Sequence, residues 1–217
     1  MTAADNEQYV LSHTTPRPVP LVPEVTLRSA EDVIGLWEDT ARDAPPFWAF
    51  PWAGGQALAR HVLDHPHLVA GRRVLDLAAG SGLVAIAAAL AGAHAVTAND
   101  IDPYSAAAIT VNARANGVTV RIVLEDLLDA EIPDTDVVLA GDVFYDRAMA
   151  ARVLPFLRTL SDNGVAVLVG DPQRAHLPHD QFTALAIYDV PVPEVLESAK
   201  VKRTTIWSTS TVDLFTG

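Results

Sequence analysis

From residue 73 to residue 170 the chain alternates short apolar runs with Ala-rich stretches of helical period. The pattern predicts strands over 73–77, 95–99, 119–124, 136–141 and 164–170, and helices over 82–92, 103–115 and 146–160. Gly117 supplies a stop after the second of these helices. Strand and helix in regular alternation are the pattern of an α/β, doubly wound, mostly parallel sheet. The end breaks the rhythm. "LAIYDVPV" (185–192) and "KRTTIWSTSTV" (202–212) are two strand-like runs with no long helical pattern between them, which predicts a terminal antiparallel hairpin.

Upstream, "SAEDVIGLWEDTA" (29–41) predicts a helix with Ser29 as its cap and Asp32 at capping-box spacing; Val33, Leu36 and Trp37 share one face. "PPFWAFPWAGG" (45–55) reads as an aromatic loop, and "QALARHVLDH" (56–65) as the helix after it. Residues 1–28 carry Pro16, Pro18, Pro20 and Pro23, which oppose a regular helix or a central strand, so an extended arm is expected there. The remainder, 29–217, reads as one domain.

Composition narrows the function. Half of the 217 residues are apolar and 19% are charged, as in a globular domain. No apolar stretch reaches the length of a membrane span, and Met1–Tyr9 is polar and acidic rather than a signal peptide, so a cytoplasmic protein is expected. The absence of cysteine excludes disulfides, thiolate metal sites and Cys nucleophiles. A net charge of −12, with only Lys200, Lys202 and Arg203 clustered, disfavours a nucleic-acid partner and favours a basic protein segment or a small cation. His61 and His65 stand at i and i+4 but lack the glutamate of a zincin helix, so no metal site is expected.

The chemistry starts at "VLDLAAGSGLVAIAAALAGA" (74–93), a strand, a tight loop and a helix. Gly80 and Gly82 let a ligand approach the backbone, and the helix start offers free N–H groups. Asp100 ends the next strand, where an acid accepts hydrogen bonds from both hydroxyls of a ribose. Both features suit a dinucleotide or S-adenosylmethionine. Asp76 separates the two. An anion four residues before Gly80 opposes a pyrophosphate but attracts an α-ammonium. The terminal hairpin also supplies the last, antiparallel strand of a methyltransferase sheet. S-adenosylmethionine is therefore the expected cofactor. Asp126, or Glu125 if the register shifts by one, stands where an acid could accept the adenine amino group.

"DLAAGSG" followed by "NDIDP" resembles the class I, seven-β-strand, Rossmann-like methyltransferases. "PPFWAFPWAGGQALARHVLDHP", "GDVFYD" and "GDPQRAHLP" narrow this. Together they resemble the lysine methyltransferases that modify the β-subunit of electron transfer flavoprotein, from about Pro23 to Trp207. The resemblance implies protein-lysine N-methylation at a D-x-x-F/Y motif, here Asp142 to Tyr145, and implies that Trp48 and Trp52 pack near the cofactor. The family tends to read "GDPGRAYLP"; here Gln173 and His176 replace a glycine and a tyrosine, which bears on the choice of acceptor.

The residues support the motif's chemistry independently. "GDVFYD" follows the fourth parallel strand at the carboxyl edge of the sheet, where open α/β folds place their sites. A lysine amine, with a pKa of about 10.4, is overwhelmingly charged at neutral pH and must be docked and desolvated before it can attack. Asp142 can dock it, or can be a turn acid. Phe144 and Tyr145 can wall its stem, or can be core aromatics. Arg174 can pair with a carboxylate of a ligand, or lie on a loop surface; Asp146 reads as a helix cap. The rivals are a methyltransferase for another protein or a small amine, an NAD-linked oxidoreductase, and an inactive binding module.

Overall fold

The computed structural model describes residues 2–40 and 45–209. Its centre is a seven-stranded sheet in the order β5-β4-β3-β6-β7-β9-β8. β3 (Arg73–Leu77), β4 (Ala95–Asp100), β5 (Arg121–Leu124), β6 (Val137–Gly141) and β7 (Ala166–Asp171) are parallel to one another. β9 (Val201–Ser208) lies antiparallel between β7 and β8 (Thr183–Pro191), so the expected hairpin forms the antiparallel edge. Residues 210–212 of the second expected strand lie outside the described residues.

The parallel strands are buried on both faces, which is why they read as unbroken apolar runs. Val74, Val137, Leu139, Ala166 and Leu168 point to the face covered by α3 (Ala53–Asp64), α4 (Leu83–Leu90) and α5 (Pro103–Ala115). Leu75, Val138, Ala140, Val167 and Val169 point to the other, covered by Val153, Leu157 and Leu160 of α6 (Arg147–Asp162). Strand alternation therefore puts Asp76 on the face of Val74, beneath α4. Asp100 follows Val96 and Ala98 toward the same side.

Two expectations are corrected. Residues 1–28 are not an extended arm. Helix α1 (Ala3–His13) opens with a capping box between Thr2 and Asp5, a spacing present in the sequence. β1 (Thr15–Val19) and β2 (Val22–Ser29) then form a separate two-stranded hairpin, where prolines need not interrupt a central ladder. Asn112 of α5 and Asn116, its C-cap, bond the backbone of Arg28 and Thr26 respectively, so β2 is stitched to the domain. In turn Ser29 ends β2 instead of capping the next helix. α2 (Val33–Thr40) starts later, with the Gly35 N–H bonded to Asp32 at 2.9 Å; Ala41, the last residue expected in it, lies outside the described residues. Among the described residues no helix is long and apolar enough to cross a membrane.

Candidate active site

The chain runs outward from β3 through β4 to β5, then returns to β6 on the other side of β3. At this reversal the loops leaving β3 and β6 diverge and open a crevice at the carboxyl edge. A cavity of about 430 Å³ fills it, lined by the Ala78–Ser81 loop, the ends of β4 and β6, and the aromatic segment before α3.

Gly80 and Gly82 both hold positive φ, 53° and 82°, and Gly82 is the N-cap of α4. An added Cβ on Gly82 would press on Ile109 of α5 at 3.1 Å, so the residue is needed for contact as well as conformation. Asp76 is buried, 1% exposed. Its Oδ2 accepts the Ala85 N–H in the first turn of α4 at 2.9 Å, and the residue is part of the cavity lining. Burial pushes its pKa up to about 8, with the Ala85 bond acting against that shift. Asp100 accepts the Gly80 N–H on Oδ2 and the Asp102 N–H on Oδ1, each at 2.9 Å. Burial raises its pKa too, opposed by those two bonds and by Ser105.

On the opposite wall Asp142 follows β6 with φ 58°, the left-handed region. Its N–H bonds the Gly170 carbonyl, and its Oδ2 accepts the Gly55 N–H at the start of α3 at 3.0 Å. Oδ1 accepts Arg174 Nη2 at 2.8 Å and Nε at 3.2 Å. Burial raises the Asp142 pKa while the Arg174 guanidinium lowers it. α3 must approach very closely for this arrangement. A Cβ on Gly54 would stand 2.2 Å from the Gly170 carbonyl oxygen and 2.5 Å from Asp142 Oδ2. Phe47, Trp52 and Tyr145 form the aromatic rim; Phe47 and Tyr145 rings lie 5.1 Å apart, and the Trp52 indole N–H bonds the Phe47 carbonyl.

The structure brings Asp76, Gly80, Asp100, Trp52, Asp142, Tyr145 and Arg174 to this one cavity. It does not bring four others, the first being Gly82, which caps α4 and packs against Ile109 without lining the cavity. Trp48 is buried against Tyr9 and Tyr104 in the cluster beneath α1, so it is core rather than a cofactor contact. Phe144 is fully buried against Phe182 on the α6 face, so it walls no substrate channel. Asp126 is turned away, capping the short 127–129 turn and pairing with Arg152 at 2.8 Å. Its alternative, Glu125, does not line the cavity either. Asn99 explains this, because its side chain ties down the Val123 and Glu125 carbonyls and fixes how the chain leaves β5.

Four residues were not singled out from the sequence. Phe47 and Ser105 line the cavity. Glu197, on the one-turn helix α7 (Glu194–Glu197), forks onto Arg174. Asp171 is fully buried, with Oδ1 on the Arg174 N–H at 2.6 Å and, among the described residues, no hydrogen-bond partner on Oδ2; burial pushes its pKa up to about 7. Two strand ends reading Gly-Asp, at 141–142 and 170–171, were the available signal for Asp171. Gln173 takes φ 64°, so it adopts the left-handed turn that a glycine would adopt without strain.

The lining holds four aspartates, Asp76, Asp100, Asp102 and Asp142, and one arginine, among the described residues. Such a lining offers acceptors and counter-charge to a ligand carrying an ammonium and a sulfonium. Asp100 and the Gly80–Ser81 loop, which also line the cavity, complete a fit for S-adenosylmethionine.

Known proteins agree with that geometry. The family model for ribosomal protein L11 methyltransferase matches residues 57–146. The electron transfer flavoprotein beta subunit lysine methyltransferase of Danio rerio is 37% identical over 212 residues, covering 94% of this chain and 80% of that one. The Mus musculus protein of the same name is 37% identical over 196 residues, covering 86% and 77%. Among solved structures, magnesium protoporphyrin IX methyltransferase from Synechocystis PCC 6803, with bound S-adenosylhomocysteine, shares the fold at a TM-score of 0.53. That likeness comes at 17% identity and covers 72% of this chain and 81% of the other.

Proposed function

This chain belongs to the family of electron transfer flavoprotein beta subunit lysine methyltransferases, and from that premise we propose that it methylates a lysine on the β-subunit of an electron transfer flavoprotein. The chain is an S-adenosylmethionine-dependent methyltransferase. What supports the reading of the site is the meeting, in one cavity, of an aspartate-rich floor and Asp142 on the wall opposite.

Asp76 is the counter-charge for the α-ammonium, and Asp100 the acceptor for the ribose hydroxyls. The Gly80 and Asp102 N–H groups and the Ser105 side chain already bond this carboxylate, so of its about four acceptor sites one remains for a ribose hydroxyl unless Ser105 gives way. When bound, S-adenosylmethionine supplies an electrophilic methyl group on a sulfonium. Asp142 receives the lysine ammonium, and the rings of Phe47, Trp52 and Tyr145 exclude water around its stem. Desolvation by those rings lowers the lysine pKa while the Asp142 carboxylate opposes that shift; the ammonium proton passes to solvent water, and the nitrogen lone pair is freed for attack. Holding the amine in line then supplies much of the rate. Gln173, held in a strained turn beside Arg174, is a position at which this chain's sequence departs from the family pattern.

The test is incubation of the purified protein with labelled S-adenosylmethionine and a purified flavoprotein, with mass spectrometry of the product. We expect methyl groups on lysine of the β-subunit. Label absent from that subunit, but present on another protein of the host lysate, replaces the acceptor and keeps the reaction.

A further inference from the structure

Asp142 is not free to receive a cation. Its Oδ2 is held by α3, and its Oδ1 already takes two hydrogen bonds from Arg174. Only 12% of its side chain is exposed, so an incoming ammonium has little of the carboxylate to reach. Arg174, however, has a second anchor. Glu197 binds it in a two-pronged pair, Oε1 to Nη2 at 2.8 Å and Oε2 to Nη1 at 3.1 Å, with the glutamate side chain 2% exposed. Lys202 Nζ stands 3.8 Å from Glu197 Oε2. One guanidinium is thus shared by two carboxylates, one at the cavity wall and one behind it.

This sharing has an electrostatic consequence. The pair with Glu197 uses both terminal nitrogens in the planar, bidentate geometry that is strongest for arginine. The contacts with Asp142 converge on a single oxygen. Of the two, the Asp142 side is the one that can be given up without stranding the guanidinium charge. We propose that Glu197 is a positioning residue that retains Arg174 while Asp142 Oδ1 is transferred from the guanidinium to the acceptor's ammonium. The proposal rests on the reading of Asp142 as the ammonium dock. No bond is made or broken in the exchange; one cation replaces another on Oδ1, and Arg174 remains paired. Without Glu197, Arg174 keeps Asp142 as its remaining salt-bridge partner among the described residues and competes with the substrate for it.

The reversal of one variant by another tests this. The probe is n-butylammonium, a lysine side-chain surrogate, titrated by NMR into protein loaded with S-adenosylhomocysteine. Steady-state KM for the flavoprotein serves as a second measurement. Glu197→Gln should weaken amine binding about tenfold or more and raise KM, with the S-adenosylhomocysteine Kd unchanged. Adding Arg174→Gln should return amine affinity to the wild-type value or better, because the competitor is gone. Glu197→Asp, which keeps the charge, should fall between the wild type and Glu197→Gln, and it decides the matter if Glu197→Gln does not fold. Amine affinity unmoved by either Glu197 variant, or a double variant no better than Glu197→Gln, overturns the exchange. Amine binding that survives Asp142→Asn overturns the docking role itself and the exchange with it. A flavoprotein left unmethylated by wild-type enzyme overturns only the acceptor, since the amine titration does not depend on it.

Discussion

If Asp76 faces the cofactor's ammonium, binding must move a proton. Its pKa of about 8 in the free protein, raised by burial, leaves the carboxyl mostly neutral at pH 7. With that value about nine sites in ten carry a proton at pH 7, and ionising them costs ~1.4 kcal/mol. An ammonium docked against Asp76 favours the ionised form, so S-adenosylhomocysteine, which keeps the ammonium, should expel close to one proton per molecule bound. Its affinity should rise by about tenfold from pH 6 to pH 7 and level off above pH 8, where Asp76 is already ionised in the free protein. Calorimetry at pH 7 in two buffers of different ionisation enthalpy reads the proton directly. Asp76→Asn should abolish both the proton release and the acid-side slope. The same group shapes stability. Its folded pKa is raised from 3.8 to about 8, so the stability it contributes is complete below about pH 4 and is lost as pH rises through 8. The loss between pH 4 and pH 7 is on the order of 4 kcal/mol, and thermal melts of the wild type should fall across that window more steeply than those of Asp76→Asn. Wild-type binding with a flat pH profile and no proton exchanged would refute the assignment, because Asp76 would then be ionised already or facing elsewhere.

Three further outcomes follow from the geometry. Asp126→Ala should leave cofactor affinity within about twofold, because Asp126 is paired with Arg152 outside the cavity; a tenfold loss in calorimetry would put it back in the site. Gly54→Ala should destabilise the protein in urea by roughly 1–3 kcal/mol or more and depress turnover, since its methyl would stand 2.2 Å from the Gly170 carbonyl oxygen; a wild-type midpoint and rate would show that the close approach is dispensable. Raising salt from 0.1 to 1 M shortens screening from about 10 Å to about 3 Å, so KM for a basic protein acceptor should rise against the chain's charge of −12 while cofactor Kd holds; a KM independent of salt would discard the steering.

What the sequence determined by itself is what short-range rules determine. β3 at 73–77 and α5 at 103–115 fall where the apolar period and the Asp102-Pro103 start placed them. Gly80, Asp76 and Asp100 meet at one cavity because a strand, a turn, a helix and the next strand in succession leave them few other places to be. Even Thr2 and Asp5 carried a legible capping signal at the start of α1, which the prolines after it obscured. The tertiary structure decided the remainder, where a residue's role depends on partners far along the chain. Trp48 and Trp52 are four residues apart and chemically alike, yet Tyr9 and Tyr104 draw one into the core while the other lines the cavity. Phe144 and Tyr145 are neighbours pointing apart, one to Phe182 and one to Phe47. Asp126 is claimed by Arg152 and Asp142 by Arg174, 26 and 32 residues away. Glu197 enters the site only because β9 inserts between β7 and β8 and carries α7 up to Arg174. Periodicity says which face of an element is apolar; it does not say which distant charge or ring will be waiting there.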